Sequence, residues 1–296
     1  MWVRLPPAAH PQEPGETAWF FVAIFAHIRH TVVCIAPVPP TSGNMTPIPE
    51  PQPTPRYIAM WSGPRNISTA LMRAWGSRAD THVIDEPFYA HYLLHTPYRA
   101  DHPGAEEVIA AHETDPQRVI AHLTGPIPNG KTIFYQKHMT HHMIEGIPLD
   151  WLAQVTHCFL IRDPREVIAS FIKVIPDVKL DQTGLPGQAA LFDQVWALTG
   201  EPPPVIDSND VLRDPHRVLS RLCARIGVPF DAAMLAWEPG RRATDGVWAK
   251  YWYAAVEASS GFQPQRQHDD PLPLHLEALA AECAVLYQRM AAHRIV

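Results

Sequence analysis

Two short stretches of this chain set a guanidinium, hydroxyl groups and the open end of a helix where an apolar run stops. In the first, Tyr57 to Trp61 gives way to Ser62-Gly63-Pro64-Arg65-Asn66-Ile67-Ser68-Thr69 and then to the helix formers Ala70, Leu71, Met72, Arg73 and Ala74. Consecutive backbone N–H groups in such a turn point at one spot, with the positive end of the helix dipole behind them, so a phosphate is favoured there. Ser68 and Thr69 add hydroxyl donors. The turn lacks the Gly-Lys-Ser/Thr ending with which nucleoside triphosphatases hold phosphates and magnesium, which argues against a P-loop kinase or NTPase. In the second stretch, Thr156 to Ile161 runs into Arg162-Asp163-Pro164-Arg165-Glu166-Val167-Ile168-Ala169-Ser170. Asp163 suits a helix cap and Pro164 the first helical turn. Arg162 leaves the strand end and Ser170 follows two turns into the helix, so both reach one anion beside the sheet.

Proton transfer needs a further group. Glu86 ends the apolar run His82 to Asp85, and Pro87 fixes the turn behind it. Lys137 and His138 follow the run Thr132 to Gln136. Glu86 and His138 are both candidate bases, although a lone residue of either type is more often a hydrogen-bonded surface group. His138 and His142 are four apart, as on one helix face, but no Glu-x-x frame lies between them and no metal site is expected. Cys34, Cys158, Cys223 and Cys283 are widely spaced, with no CxxC pair, and suit core side chains in a reducing compartment.

The elements that must position these groups are legible as alternating apolar runs and helical periodicity, the pattern of a parallel sheet with crossover helices. The runs predict strands over 57–61, 82–85, 132–136, 156–161 and 205–207. Leu276, Leu279, Cys283, Leu286 and Met290 predict a helix with one apolar stripe, and Val218, Leu222 and Ile226 another that Gly227 ends. Residues 56–296 are therefore expected to form one α/β domain, three layers with a central parallel sheet flanked by helices. The first 55 residues hold 12 of the 32 prolines and are expected to be a disordered leader. Within them Ala18 to Ala26 is apolar, but His27, Arg29 and His30 interrupt it short of the roughly 20 residues that span a bilayer. Among 296 residues the formal net charge is -6, which argues against general binding to nucleic acid or an anionic membrane. The expected location is cytoplasmic, and nothing specifies an oligomeric state.

The sequence resembles the P-loop-type sulfotransferases that use 3′-phosphoadenosine 5′-phosphosulfate (PAPS). Gly63-Pro64-Arg65-Asn66-Ile67-Ser68-Thr69-Ala70-Leu71 is similar to their 5′-phosphosulfate loop, with Asn66-Ile67 where many members have Ser-Gly. Phe159 to Ser170 is similar to their 3′-phosphate motif, and Asp210 to Phe230 to the segment after their sheet. The resemblance implies that Gly63 to Thr69 cradle the 5′ end of the donor, that Arg162 and Ser170 hold its 3′-phosphate, and that Arg65 meets the bridging oxygen. It further implies Glu86, or secondarily His138, as base, Lys137 as a second contact to the sulfate, and Arg241 or Arg242 on a loop closing over the nucleotide. No metal is required, since one cation can balance the leaving charge. The acceptor would be a small molecule bearing a hydroxyl or amine, in a pocket built from segments such as 89–124 and 179–198. The alternatives are a PAPS-binding or product-binding protein without turnover and, less favoured, a nucleotide kinase.

Overall fold

The computed structural model describes residues 54–100, 102–173, 177–263 and 272–296. The leader expected over 1–55 lies almost wholly outside the described residues, as does Cys34. Five strands form one all-parallel sheet in the order β2-β3-β1-β4-β5: β1 (Arg56–Ser62), β2 (Thr81–Asp85), β3 (Ile133–Met139), β4 (Thr156–Ile161) and β5 (Val205–Asp207). All five expected strands are present. β3 runs three residues further than its apolar run, because β1 and β2 pair with it on both sides as far as Met139 and Lys137.

The central strands alternate strictly, as period-2 geometry requires. Ile58 and Met60 of β1, Ile133 and Tyr135 of β3, and Cys158 and Leu160 of β4 pack on one face beneath α1 (Ser68–Gly76) and the helix Pro215–Arg225. Ala59, Trp61, Phe134, Phe159 and Ile161 pack on the other, beneath the helices Leu185–Thr199 and Leu274–Ala291. The last of these buries Leu276, Cys283 and Met290 of its predicted stripe. Cys158, Cys223 and Cys283 are free and buried, and burial raises each thiol's pKa. The helix after β1 lies on one face, whereas the helix after β4, α2 (Pro164–Phe171), packs Ile168 against the terminal helix. A crevice therefore opens beyond the carboxyl ends of β1 and β4, the place where open α/β sheets take ligands. A third cluster roofs it: Tyr89, Tyr92 and Leu93 of the helix Tyr89–His95 meet Trp248, Ala249 and Tyr253.

Candidate functional site

The turn after β1 is fixed by close approach on one side and hydrogen bonds on the other. A Cβ on Gly63 would stand 2.6 Å from the Thr183 carbonyl oxygen, so only glycine lets the backbone pass. Among the described residues three non-glycines have positive φ, namely Arg65 at 57°, Glu86 at 42° and Asn129 at 60°. Such strain, of order 1–3 kcal/mol each, persists only where neighbours enforce it, and two of the three positions are the candidate cation and the candidate base. At Arg65 the enforcers are visible. Arg162 Nη1 donates to the Arg65 carbonyl at 2.6 Å, Arg65 Nε donates to Ser170 Oγ at 3.1 Å, and Asn66 Nδ2 donates to the Leu160 carbonyl at 3.0 Å. Asn66 thus ties the loop to β4, while Ile67 packs against the core beneath α1.

α1 begins without a side-chain cap, Ile67 standing at the cap position. By contrast Asp163 accepts from the Arg165 N–H at 2.8 Å and closes the start of α2. The two strand–turn–helix units are therefore not equivalent. The first keeps open N–H donors for an anion; the second contributes side chains, Arg162 and Ser170. Burial lowers the Arg65 pKa, and the neighbouring Arg162 cation lowers it further. Among the described residues Glu166, 3.0 Å from Arg162, is the one carboxylate hydrogen-bonded to this pair of guanidiniums. Two cations against one carboxylate, a guanidinium fork, a hydroxyl and an uncapped helix are a donor set that fits a phosphorylated ligand. Pro64 to Thr69, Arg162 and Ser170 line a single cavity of about 710 Å³.

Glu86 and Lys137 stand at the other end of that cavity. β2 is two strands from β1, about 10 Å across the sheet. The left-handed turn at Glu86 carries its carboxylate back over β3. There Lys137 Nζ donates to Glu86 Oε1 at 2.6 Å, Asp85 Oδ1 at 2.8 Å and the Tyr253 hydroxyl at 2.7 Å. Tyr253 in turn donates to Asp85 Oδ2 at 2.7 Å, and accepts from Trp248 Nε1 at 3.1 Å. An ammonium has three N–H groups, and all three are used. Lys137, expected as a second contact to the sulfate, here gives all three N–H groups to Glu86, Asp85 and Tyr253. Burial alone would lower the Lys137 pKa, but Asp85, Glu86 and Tyr253 hold it well above the usual value. Burial raises the Glu86 pKa, Lys137 opposes this, and Asp85 raises it again. A carboxylate with one oxygen clamped and raised proton affinity has the character of a general base.

His138 does not join them. Because β3 continues through it, consecutive side chains point to opposite faces, and Lys137 and Met139 line the cavity while His138 does not. His138 stacks on Trp61 with ring centroids 4.3 Å apart, 1% exposed, and burial and the neighbouring His157 bring its pKa down to about 3. His138→Ala should therefore lower the melting temperature by removing a stacked core ring, about 1–3 kcal/mol, and leave turnover within about threefold. A melting curve and a rate at a permissive temperature check this. The pairing of His138 with His142 on a helix face does not form either, since 140–142 is a single 3₁₀ turn. Arg241 and Arg242 also lie off the cavity. Arg242 Nη2 donates to the Glu238 carbonyl at 2.6 Å, and Arg241 is 3.7 Å from Glu257.

Reading the sequence missed Asp85 and Tyr253 as partners of Lys137, and the aromatic wall formed by Tyr89, Tyr92, Trp248 and Trp252. The one available signal was the density of aromatics in 248–253 and 88–92. The 245–253 segment is anchored by a buried pair in which Arg73 Nη2 donates to Asp245 Oδ2 at 2.7 Å, and by the Gly246 N–H on Asp85 at 3.2 Å.

Solved structures similar to this chain include the sulfotransferase domain from the curacin biosynthetic pathway. It is 18% identical, with coverage of 78% of this chain and 98% of that one and a TM-score of 0.44. The sulfotransferase domain of the Synechococcus PCC 7002 olefin synthase is 17% identical, with coverage of 80% and 97% and a TM-score of 0.47. Two Arabidopsis thaliana proteins are also similar. Branched-chain-amino-acid aminotransferase-like protein 1 is 34% identical over 239 residues, 81% of this chain and 42% of its own length. Its counterpart, protein 2, is 33% identical over 236 residues, 80% and 41%. The chain thus spans about two-fifths of the length of these curated relatives. Residues 56–294 match the sulfotransferase domain family, taking in β1, the loop at Arg65, Glu86, Lys137 and the Arg162–Ser170 segment, and the chain belongs to that family.

Proposed function

We propose that this protein transfers a sulfuryl group from PAPS to a hydroxyl or amine of a small acceptor. The observation that carries the reading is one cavity with opposite chemistry at its two ends: an uncapped helix with Arg65, Arg162 and Ser170 at one, a clamped carboxylate at the other. Arg162 and Ser170 would hold the 3′-phosphate, and the 64–69 backbone with Ser68 and Thr69 the 5′ end. When bound, PAPS supplies the sulfuryl group and leaves as adenosine 3′,5′-bisphosphate. Glu86 Oε2, the oxygen not held by Lys137, takes the acceptor proton as the new bond to sulfur forms. Arg65 meets the electron pair left on the bridging oxygen as the old S–O bond breaks, where a fixed cation in a dry site is worth several kcal/mol.

Incubation with sulfur-labelled PAPS and a panel of small alcohols, phenols and amines tests this. Label moving into an organic product, with one adenosine 3′,5′-bisphosphate released per transfer, is the expected result. Tight binding of the bisphosphate with label never leaving the donor would support the non-catalytic reading instead.

A further inference from the structure

Among the described residues four of fixed charge line the cavity, and they divide by sign and place. Arg65 and Arg162 stand together at the loop end. At the far end Glu86 and Lys137 are backed by Asp85, so two carboxylates share one ammonium. The nearby Asp245 is already matched by Arg73. With both carboxylates ionised the far end carries one negative charge in excess, on side chains no more than 10% exposed. Among the described residues none lining that end offers a free cation, since every N–H of Lys137 is engaged.

The rest of the far wall is made of rings. Tyr89, Tyr92, Trp248 and Trp252 line it with His102, His141 and His142. His142 stacks on Tyr89 with centroids 4.3 Å apart and lies 4.8 Å from Tyr92. Its Nδ1 is buried without a hydrogen-bond partner, with the ring 2% exposed and 3.9 Å from Glu86 Oε2. Nδ1 of His141 and of His102 is likewise buried and unpartnered. Burial lowers the pKa of all three imidazoles, which favours their uncharged form, presenting lone pairs or N–H groups.

Excess negative charge, aromatic faces and unpartnered imidazole nitrogens together select a positively charged group. An anion would meet the carboxylates with nothing to answer it, and a neutral ligand would leave the excess charge buried. We infer that the acceptor, on the reading that this is a sulfuryl transferase, is a hydroxylated organic cation: an alcohol or phenol whose hydroxyl reaches Glu86 and whose ammonium group lies among the rings of Tyr89, Tyr92, Trp252 and His142. Such a ligand also favours the ionised form of Glu86, the form that accepts a proton, so binding the acceptor prepares the base.

Three phenols that differ in charge test this: tyramine, 4-ethylphenol and 4-hydroxyphenylacetate, titrated calorimetrically into the full chain with and without adenosine 3′,5′-bisphosphate. Tyramine should bind at least about tenfold more tightly than 4-ethylphenol, and 4-hydroxyphenylacetate most weakly. Glu86→Gln, which keeps shape and removes the excess charge, should reduce the ratio to about threefold or less. Trp252→Leu, away from the Lys137 network, should weaken tyramine more than 4-ethylphenol. Equal binding of tyramine and 4-ethylphenol, preference for 4-hydroxyphenylacetate, no binding of any of the three, or a preference untouched by Glu86→Gln would overturn the inference. The donor reading is judged separately in the same titrations. A protein that prefers tyramine but ignores the bisphosphate keeps the cation subsite and loses PAPS, whereas one that binds the bisphosphate without charge preference does the reverse.

Discussion

Arg65→Ala is expected to lower turnover by about 100-fold or more while changing affinity for adenosine 3′,5′-bisphosphate much less. The bridging oxygen gains charge mainly as its bond to sulfur lengthens, so a guanidinium aimed there acts on the transition state more than on the bound donor. Arg65 is suited to this because it is held rather than mobile: its backbone is braced by Arg162 and its Nε by Ser170. Arg65→Lys should recover only part of the loss, because an ammonium has no fork with which to keep the Ser170 contact. Steady-state rates at saturating donor, together with bisphosphate titrations, separate the two effects. An Arg65→Ala enzyme with normal turnover would remove Arg65 from the chemistry.

Glu86→Gln should cost about 100-fold to 10,000-fold in turnover, the range for loss of a general base. The amide keeps the shape, so donor affinity should change little. In the wild type the rate should rise with pH as Glu86 ionises. Because burial raises its pKa, with Lys137 opposing, that rise should fall above the ordinary carboxylate range. The base form is present above that pKa and is lost as pH falls through it. Removing the opposing cation by Lys137→Met should move the rise to still higher pH. A rate–pH profile of the three proteins measures this, and an unchanged profile in Glu86→Gln would assign the proton to another group.

Much of the frame was legible because buried parallel strands leave continuous apolar runs; Arg65, Glu86 and Arg162 fall at or just beyond the ends of such runs, and Ser170 two turns into the helix that follows one. What was not legible arose from pairing and from distance along the chain. β3 extends through the polar pair Lys137-His138 because its two neighbours bond to it, a tertiary effect with no apolar signal, and that extension turns His138 away from the cavity. Tyr253 meets Asp85 across 168 residues, and Asp245 meets Arg73 across 172, so no local spacing could reveal either. The family resemblance implied Arg241 or Arg242 as a nucleotide grip. The structure turns both to neighbouring groups, Glu257 and the Glu238 carbonyl.

The double role of Arg162 follows from the same geometry. It was expected to contribute donor binding alone, yet its bond to the Arg65 carbonyl means that Arg162→Ala should weaken donor binding and lower turnover together. Ser170→Ala, which frees the Arg65 Nε, should also weaken binding and lower turnover, each less than Arg162→Ala does.

Recognition of a 3′-phosphate is what sets a PAPS site apart from other nucleotide sites, and a comparison of two nucleotides tests it. Adenosine 3′,5′-bisphosphate and adenosine 5′-monophosphate differ only in that group, so each is titrated into the wild type and Ser170→Ala. A charge-assisted grip of about 2 kcal/mol or more predicts that the wild type prefers the bisphosphate by roughly 30-fold or more, and that Ser170→Ala gives up part of this preference. Equal binding of the two nucleotides, or tighter binding of ATP with magnesium, would contradict it.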